Sequence, residues 1–81
     1  MTIRLTDLSP VQLRALTRLY DGPAHEDSVG SRYDELPPEF QIACATLITK
    51  GLVEARLGWR QTIWFRLTER GRAMREKGWA E

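Results

Sequence analysis

Cysteine and histidine are almost absent: one of each in 81 residues. A single thiol, Cys44, excludes an internal disulfide and a cysteine-built zinc cluster, and it suits a reducing, cytoplasmic setting. His25 has no second histidine and no cysteine near it, so the usual metal-ligand spacings are missing. No apolar run approaches the roughly 20 residues of a membrane span. The opening Met1-Thr2-Ile3-Arg4 lacks the long apolar segment of a secretion signal. Internal repeats, low-complexity tracts, a glycine-rich phosphate loop and any nucleophile–base arrangement are also missing. The adjacent carboxylates Asp34 and Glu35 would point apart on a helix. Neither an enzyme nor a cofactor is expected.

Net charge is only +1, which says little about partners, but its distribution is uneven. Residues 1–20 balance at +2, residues 21–49 at −5 and residues 50–81 at +4. The middle is acidic and the last third is basic. The length points to one domain over 1–81. A chain of this size buries only roughly 60% of its unfolded surface, so a partner would add usefully to its stability.

Residues 1–7 read as a short arm, with Ile3 and Leu5 on one side. A first helix is expected over 9–21. Ser9 can cap it, Pro10 suits the first position and Gln12 completes a capping box. Leu8 and Leu13 can form the accompanying staple, and Val11, Leu13, Leu16, Leu19 and Tyr20 supply its buried stripe. Asp21-Gly22-Pro23 stops it. Residues 31–36 suit either a short second helix or one loose turn.

Pro37-Pro38-Glu39 opens a helix over 38–50, with Phe40, Ala43, Cys44, Leu47 and Ile48 on its apolar face. Lys50-Gly51 ends it, Gly51 taking the left-handed conformation and Leu52 folding back on Leu47. Alternation then predicts a two-stranded hairpin over 52–67: Val53, Ala55 and Leu57 share one face, as do Ile63, Phe65 and Leu67. Gly58 to Gln61 make the turn. Thr68 caps a last helix over 69–77, made basic by Arg70, Arg72, Arg75 and Lys77.

The strings Leu47-Ile48-Thr49-Lys50-Gly51-Leu52-Val53-Glu54 and Trp64-Phe65-Arg66-Leu67-Thr68-Glu69-Arg70-Gly71-Arg72 resemble the winged helix-turn-helix domain of MarR-type transcriptional regulators. Leu8 to Leu16 resembles the first helix of that domain. The resemblance spans roughly residues 8–75 and omits the long helices through which such regulators dimerise. It implies an α+β, mainly α fold: three helices, a two-stranded β-hairpin wing and a C-terminal helix. It also implies transcription regulation through double-stranded DNA. The third helix would enter the major groove through Gln41, Ala45 and Thr46, with Pro38, Glu39 and Ile42 on the same face. Arg56, Arg60, Gln61 and Arg66 on the wing would hold the flanking backbone.

A second expectation rests on the residues themselves. The would-be reading helix has no Arg or Lys, although cations supply most affinity for duplex DNA. Exposed aromatics and an acidic segment suit a protein interface instead. That interface would use Glu26, Asp27, Asp34, Glu35, Glu39, Trp59 and Trp64. Its blander counterpart is a solvated acidic loop and tryptophans packed against Trp79 or a neighbouring helix. Under this alternative the chain docks on a protein as an accessory protein or inhibitor of the kind phages and mobile elements encode. No membrane partner is expected under either. The oligomeric state stays open, a homodimer among the options.

Overall fold

The computed structural model describes residues 2–20 and 30–81. Strand β1 (Ile3–Arg4) leads through one 3-10 turn into helix α1 (Pro10–Leu19). The capping box forms as its residues imply: Gln12 N–H donates to Ser9 Oγ at 3.3 Å and Ser9 N–H to Gln12 Oε1 at 2.8 Å. α1 stops at Leu19, short of the expected 21, with Tyr20 already extended. The stop signal at residues 21–23 lies outside the described residues.

Residues 31–36 do not form a helix. They give strand β2 (Ser31–Arg32) and a single 3-10 turn at Tyr33–Glu35. Helix α2 (Pro38–Thr49), strands β3 (Val53–Leu57) and β4 (Ile63–Leu67), helix α3 (Glu69–Lys77) and strand β5 (Trp79–Ala80) follow. The described residues therefore hold three α-helices and five strands in two sheets. This corrects the expected winged helix-turn-helix of three helices, a two-stranded hairpin and a further C-terminal helix. The second helix is replaced by β2, which pairs with β4 and widens the hairpin to three strands in the order β2-β4-β3. The second sheet joins the chain ends. Ile3 pairs with Ala80 and Arg4 with Trp79, and Leu5 N–H donates to Gly78 O at 3.1 Å.

The core lies between the three helices and one face of the larger sheet. Leu16, Leu19, Leu47, Leu52, Leu67 and Met74 are fully buried there, each stabilising the fold by about 1.5–3 kcal/mol. None of the helices is long and apolar enough to cross a membrane among the described residues.

The corner between α2 and β3 is held by several hydrogen bonds. Leu52 N–H donates to Leu47 O and Gly51 N–H to Ile48 O, the paired bonds of a glycine-terminated helix, with Gly51 at φ +75. The next carbonyls bond to the start of α3. Arg70 Nη1 donates to Lys50 O at 3.1 Å, Thr68 Oγ1 to Gly51 O at 2.7 Å and Thr68 N–H to Leu52 O at 3.1 Å. The same Thr68 hydroxyl accepts from Gly71 N–H at 3.1 Å and so caps α3. Gly71 is required by proximity, since a Cβ there would sit 2.0 Å from Leu52 O.

Gly71→Ala should therefore destabilise the protein by roughly 2–4 kcal/mol, even though alanine is the better helix former by about 1 kcal/mol. Urea unfolding checks this, and an unchanged midpoint would show that the corner tolerates separation.

Candidate functional site

The groups expected to read a duplex sit on α2, where most of their polar atoms already have partners. Gln41 is half-buried, and its amide nitrogen donates to Tyr33 O at 2.9 Å and Leu36 O at 3.1 Å. Both of its N–H groups hold the 3-10 turn against α2, so the bidentate pairing with adenine is not open to it in this conformation. Thr46 donates to Ala43 O at 2.7 Å and accepts from Gln12 Nε2 at 2.8 Å, joining α1 to α2. Ala45 and Glu39 are exposed. Between them Ile42 is 68% exposed, so this face presents an isoleucine and a carboxylate where a phosphate-binding face presents cations. Ile48, expected in the core, is partly exposed.

The hairpin carries the remaining candidates on its outer face. There Arg32, Trp64 and Arg56 form one cross-strand row, and Glu54 faces Arg66 in the next. Arg66 Nε donates to Glu54, which also lies 3.7 Å from Arg56. Arg56 and Arg60 are exposed, and Arg60 stacks over the Trp59 ring at 5.9 Å. Arg32, Trp59, Arg60, Thr62 and Trp64 line an open cleft of about 320 Å³. Trp64 lies over Gly58, where an added Cβ would meet its Nε1 at 2.7 Å. Trp64 is half-buried, flanked by Arg32 and Arg56 across the strands.

The acidic candidates are divided. Asp34 and Glu35 both bridge to Arg32, at 2.8 and 3.3 Å, so their charge is met within one turn. Glu26 and Asp27 lie outside the described residues. The basic last helix is also not a cationic face. Arg72 is 4% exposed with its guanidinium 4.8 Å from the Tyr20 ring centroid, Arg75 stacks on the same ring at 5.6 Å, and Arg70 caps α2. Among the described residues no cluster of histidine, cysteine or carboxylate side chains could hold a metal ion.

Alternation along the strands did not reveal the apolar end of the hairpin. Leu57 and Ile63 share the inner face with Phe65 and Leu67, as the pattern requires. They are less covered than Phe65 and Leu67, however. Leu57 is 73% exposed, Ile63 45% and the neighbouring Trp59 80%. The turn at this end is tight and unusual. Arg60 and Gln61 are both left-handed, at φ +56 and +62, and Thr62 N–H closes back on Trp59 O at 3.2 Å. Such a turn favours Asn-Gly, and non-glycine residues there cost about 1 kcal/mol each.

Comparison with protein-family models, with curated proteins and with solved structures finds no match.

Two consequences are measurable. Replacing Arg60-Gln61 by Asn-Gly should raise stability by roughly 1–2 kcal/mol; no gain in thermal midpoint would show that the turn is unstrained. Burial pushes the Cys44 thiol from 9.0 up to about 11. Its folded form holds the proton more tightly than the unfolded form. The stability this contributes is therefore full below about pH 9 and is lost as pH rises through about 11. Urea unfolding at pH 8 and pH 10.5 should show a larger loss for the native chain than for Cys44→Ala.

Proposed function

We propose that this chain is a protein-docking module that presents the free end of its hairpin to a protein partner. One observation carries the reading. Leu57 and Ile63, paired on the inner face, and Trp59, beside the outer cleft, are all exposed at the end of the hairpin, while the polar groups of α2 that would read a base are held inside the fold. Large exposed apolar side chains with an aromatic among them are typical of a protein interface. Arg60 beside Trp59 supplies the polar rim and a cation–aromatic pair. The strained turn supports the same reading, because such strain collects at functional points.

Duplex DNA is the competing partner, and the exposed Arg56 and Arg60 together with the resemblance to MarR-type regulators favour it. Phosphate binding requires several cations in one face. In this chain Arg32, Arg66, Arg70 and Arg72 are engaged with carboxylates, a backbone carbonyl or a ring.

Titration with random duplex DNA at low and moderate salt separates the two. Docking on protein predicts no measurable duplex binding even at low salt, and binding with a steep salt slope would overturn it in favour of nucleic acid. In the source cells, a photoreactive group at position 59 should crosslink to a discrete protein. Ile63→Asp should abolish that crosslink while leaving the thermal midpoint within a few degrees, as expected for an exposed position.

A further inference from the structure

One edge of the three-stranded sheet is closed by β2, which pairs with β4 at Phe65 and Trp64. The other edge is β3, and among the described residues no strand pairs with it. Its register with β4 is unbroken from Val53 to Leu57, so no bulge turns it aside, and it contains no proline or lysine. These are among the usual devices that keep an edge from pairing, and the charges β3 does carry, Glu54 and Arg56, are of opposite sign.

The direction of its free groups follows from the ladder. Gly58 N–H donates to Thr62 O, and Thr68 N–H donates to Leu52 O. Hydrogen-bonded pairs alternate along an antiparallel ladder, so Glu54 and Arg56 direct their backbone groups toward β4. Val53, Ala55 and Leu57 direct theirs outward. Val53 is buried at the base of the strand, while Ala55, Arg56 and Leu57 are exposed.

The sequence of this edge is self-complementary. Val53-Glu54-Ala55-Arg56-Leu57 reads apolar, acidic, small, basic, apolar, and reversed it reads apolar, basic, small, acidic, apolar, so acid opposes base when two copies run antiparallel. We propose that β3 pairs antiparallel with β3 of a second copy of this chain, centred on Ala55, to give a two-fold symmetric dimer with a continuous six-stranded sheet. In that register the two Ala55 residues exchange backbone hydrogen bonds. Each Glu54 then faces the other copy's Arg56 in a position where side chains lie closest. Sliding by one step to centre on Arg56 sets guanidinium against guanidinium, and centring on Glu54 sets carboxylate against carboxylate. Charge therefore favours the Ala55-centred register over both of its neighbours.

Within each chain Glu54 keeps Arg66, and Arg56, 3.7 Å away and exposed, is the partner that can turn outward. Leu57 comes to lie beside the partner copy's Val53, extending the apolar inner face. This goes beyond docking through the hairpin end, because it uses the strand edge and names the occupant.

Sedimentation of the full chain at concentrations up to about 1 mM, in low salt, should show a dimer that weakens as salt rises. Arg56→Glu sets acid against acid at both contacts and should weaken the dimer roughly tenfold or more. Ala55→Pro removes an outward N–H without touching the bonds to β4 and should abolish it, with far-UV circular dichroism unchanged. Glu54→Arg mixed with Arg56→Glu should restore a heterodimer, because each contact then joins opposite charges again. If Glu54→Arg misfolds beside Arg66, the other two variants still decide. A native chain that stays monomeric at the highest concentration, or a dimer that survives both Arg56→Glu and Ala55→Pro, overturns the proposal. A monomer whose position 59 still crosslinks to another protein would sink the pairing and leave hairpin docking intact. An edge dimer unaffected by Ile63→Asp, with no position-59 crosslink to any protein, would do the reverse.

Discussion

Three successive carbonyls, those of Lys50, Gly51 and Leu52, turn the chain from helix to sheet, and all three accept hydrogen bonds from the first residues of α3. A helix end leaves its last carbonyls without internal partners, and leaving such groups buried and unpaired costs roughly 1–3 kcal/mol apiece. Here the Thr68 hydroxyl bonds two ends at once, accepting from Gly71 and donating to Gly51. The corner fixes the angle between α2 and the hairpin, and so decides which residues overhang the core. Its two halves are the Lys-Gly-Leu and Leu-Thr-Glu-Arg-Gly strings. Residues separated by 16 to 20 positions form one lock, so the two strings speak to architecture more than to partner.

The same geometry dissolves the charge asymmetry seen along the chain. The last third has an excess of cations, yet folding disperses it. Arg70 goes to the corner, Arg72 and Arg75 to the Tyr20 ring, and Arg66 to Glu54. The acidic middle is likewise partly neutralised, since Arg32 takes both Asp34 and Glu35. Local charge in a sequence predicts a surface field only when the side chains reach solvent on one face. Two stacked guanidiniums on one tyrosine are better described as packing with a charge attached.

What could be read from the residues was whatever is enforced locally. The Ser9-Pro10-Gln12 start, the Gly51 stop, the Thr68 cap and the alternation of both hairpin strands depend on neighbours within a few positions, and all formed. The bounds of α2 and α3 agree with expectation to within a residue. The failures share one cause. β2 and the terminal β1–β5 pair are two residues long and exist because distant partners meet them, so no period could announce them. Gln41 and Thr46 looked like free polar groups on a helix face; their partners are the Tyr33 and Leu36 carbonyls and the Gln12 amide. Leu57 and Ile63 were assigned to the correct face, but alternation cannot tell whether that face has anything packed on it.

That overhang bears on why a domain this small leaves so much open. An interior built from seven or so large side chains gives a modest margin, and an uncovered leucine and a bare strand edge do nothing to widen it. Both features run against the devices that small proteins use to stay apart. The edge, moreover, is not merely unprotected. Its acid and base are placed so that the alignments one step to either side of the centred one set like charges together. A strand under no constraint to pair could carry two lysines, or a lysine and a proline, and repel every neighbour. Glu54 and Arg56 flanking a small residue instead reject shifted registers while accepting the centred one, which is specificity through unfavourable alternatives. Association that covers the edge would also stabilise the fold by mass action, so the margin missing from the isolated chain would come from the assembly it forms.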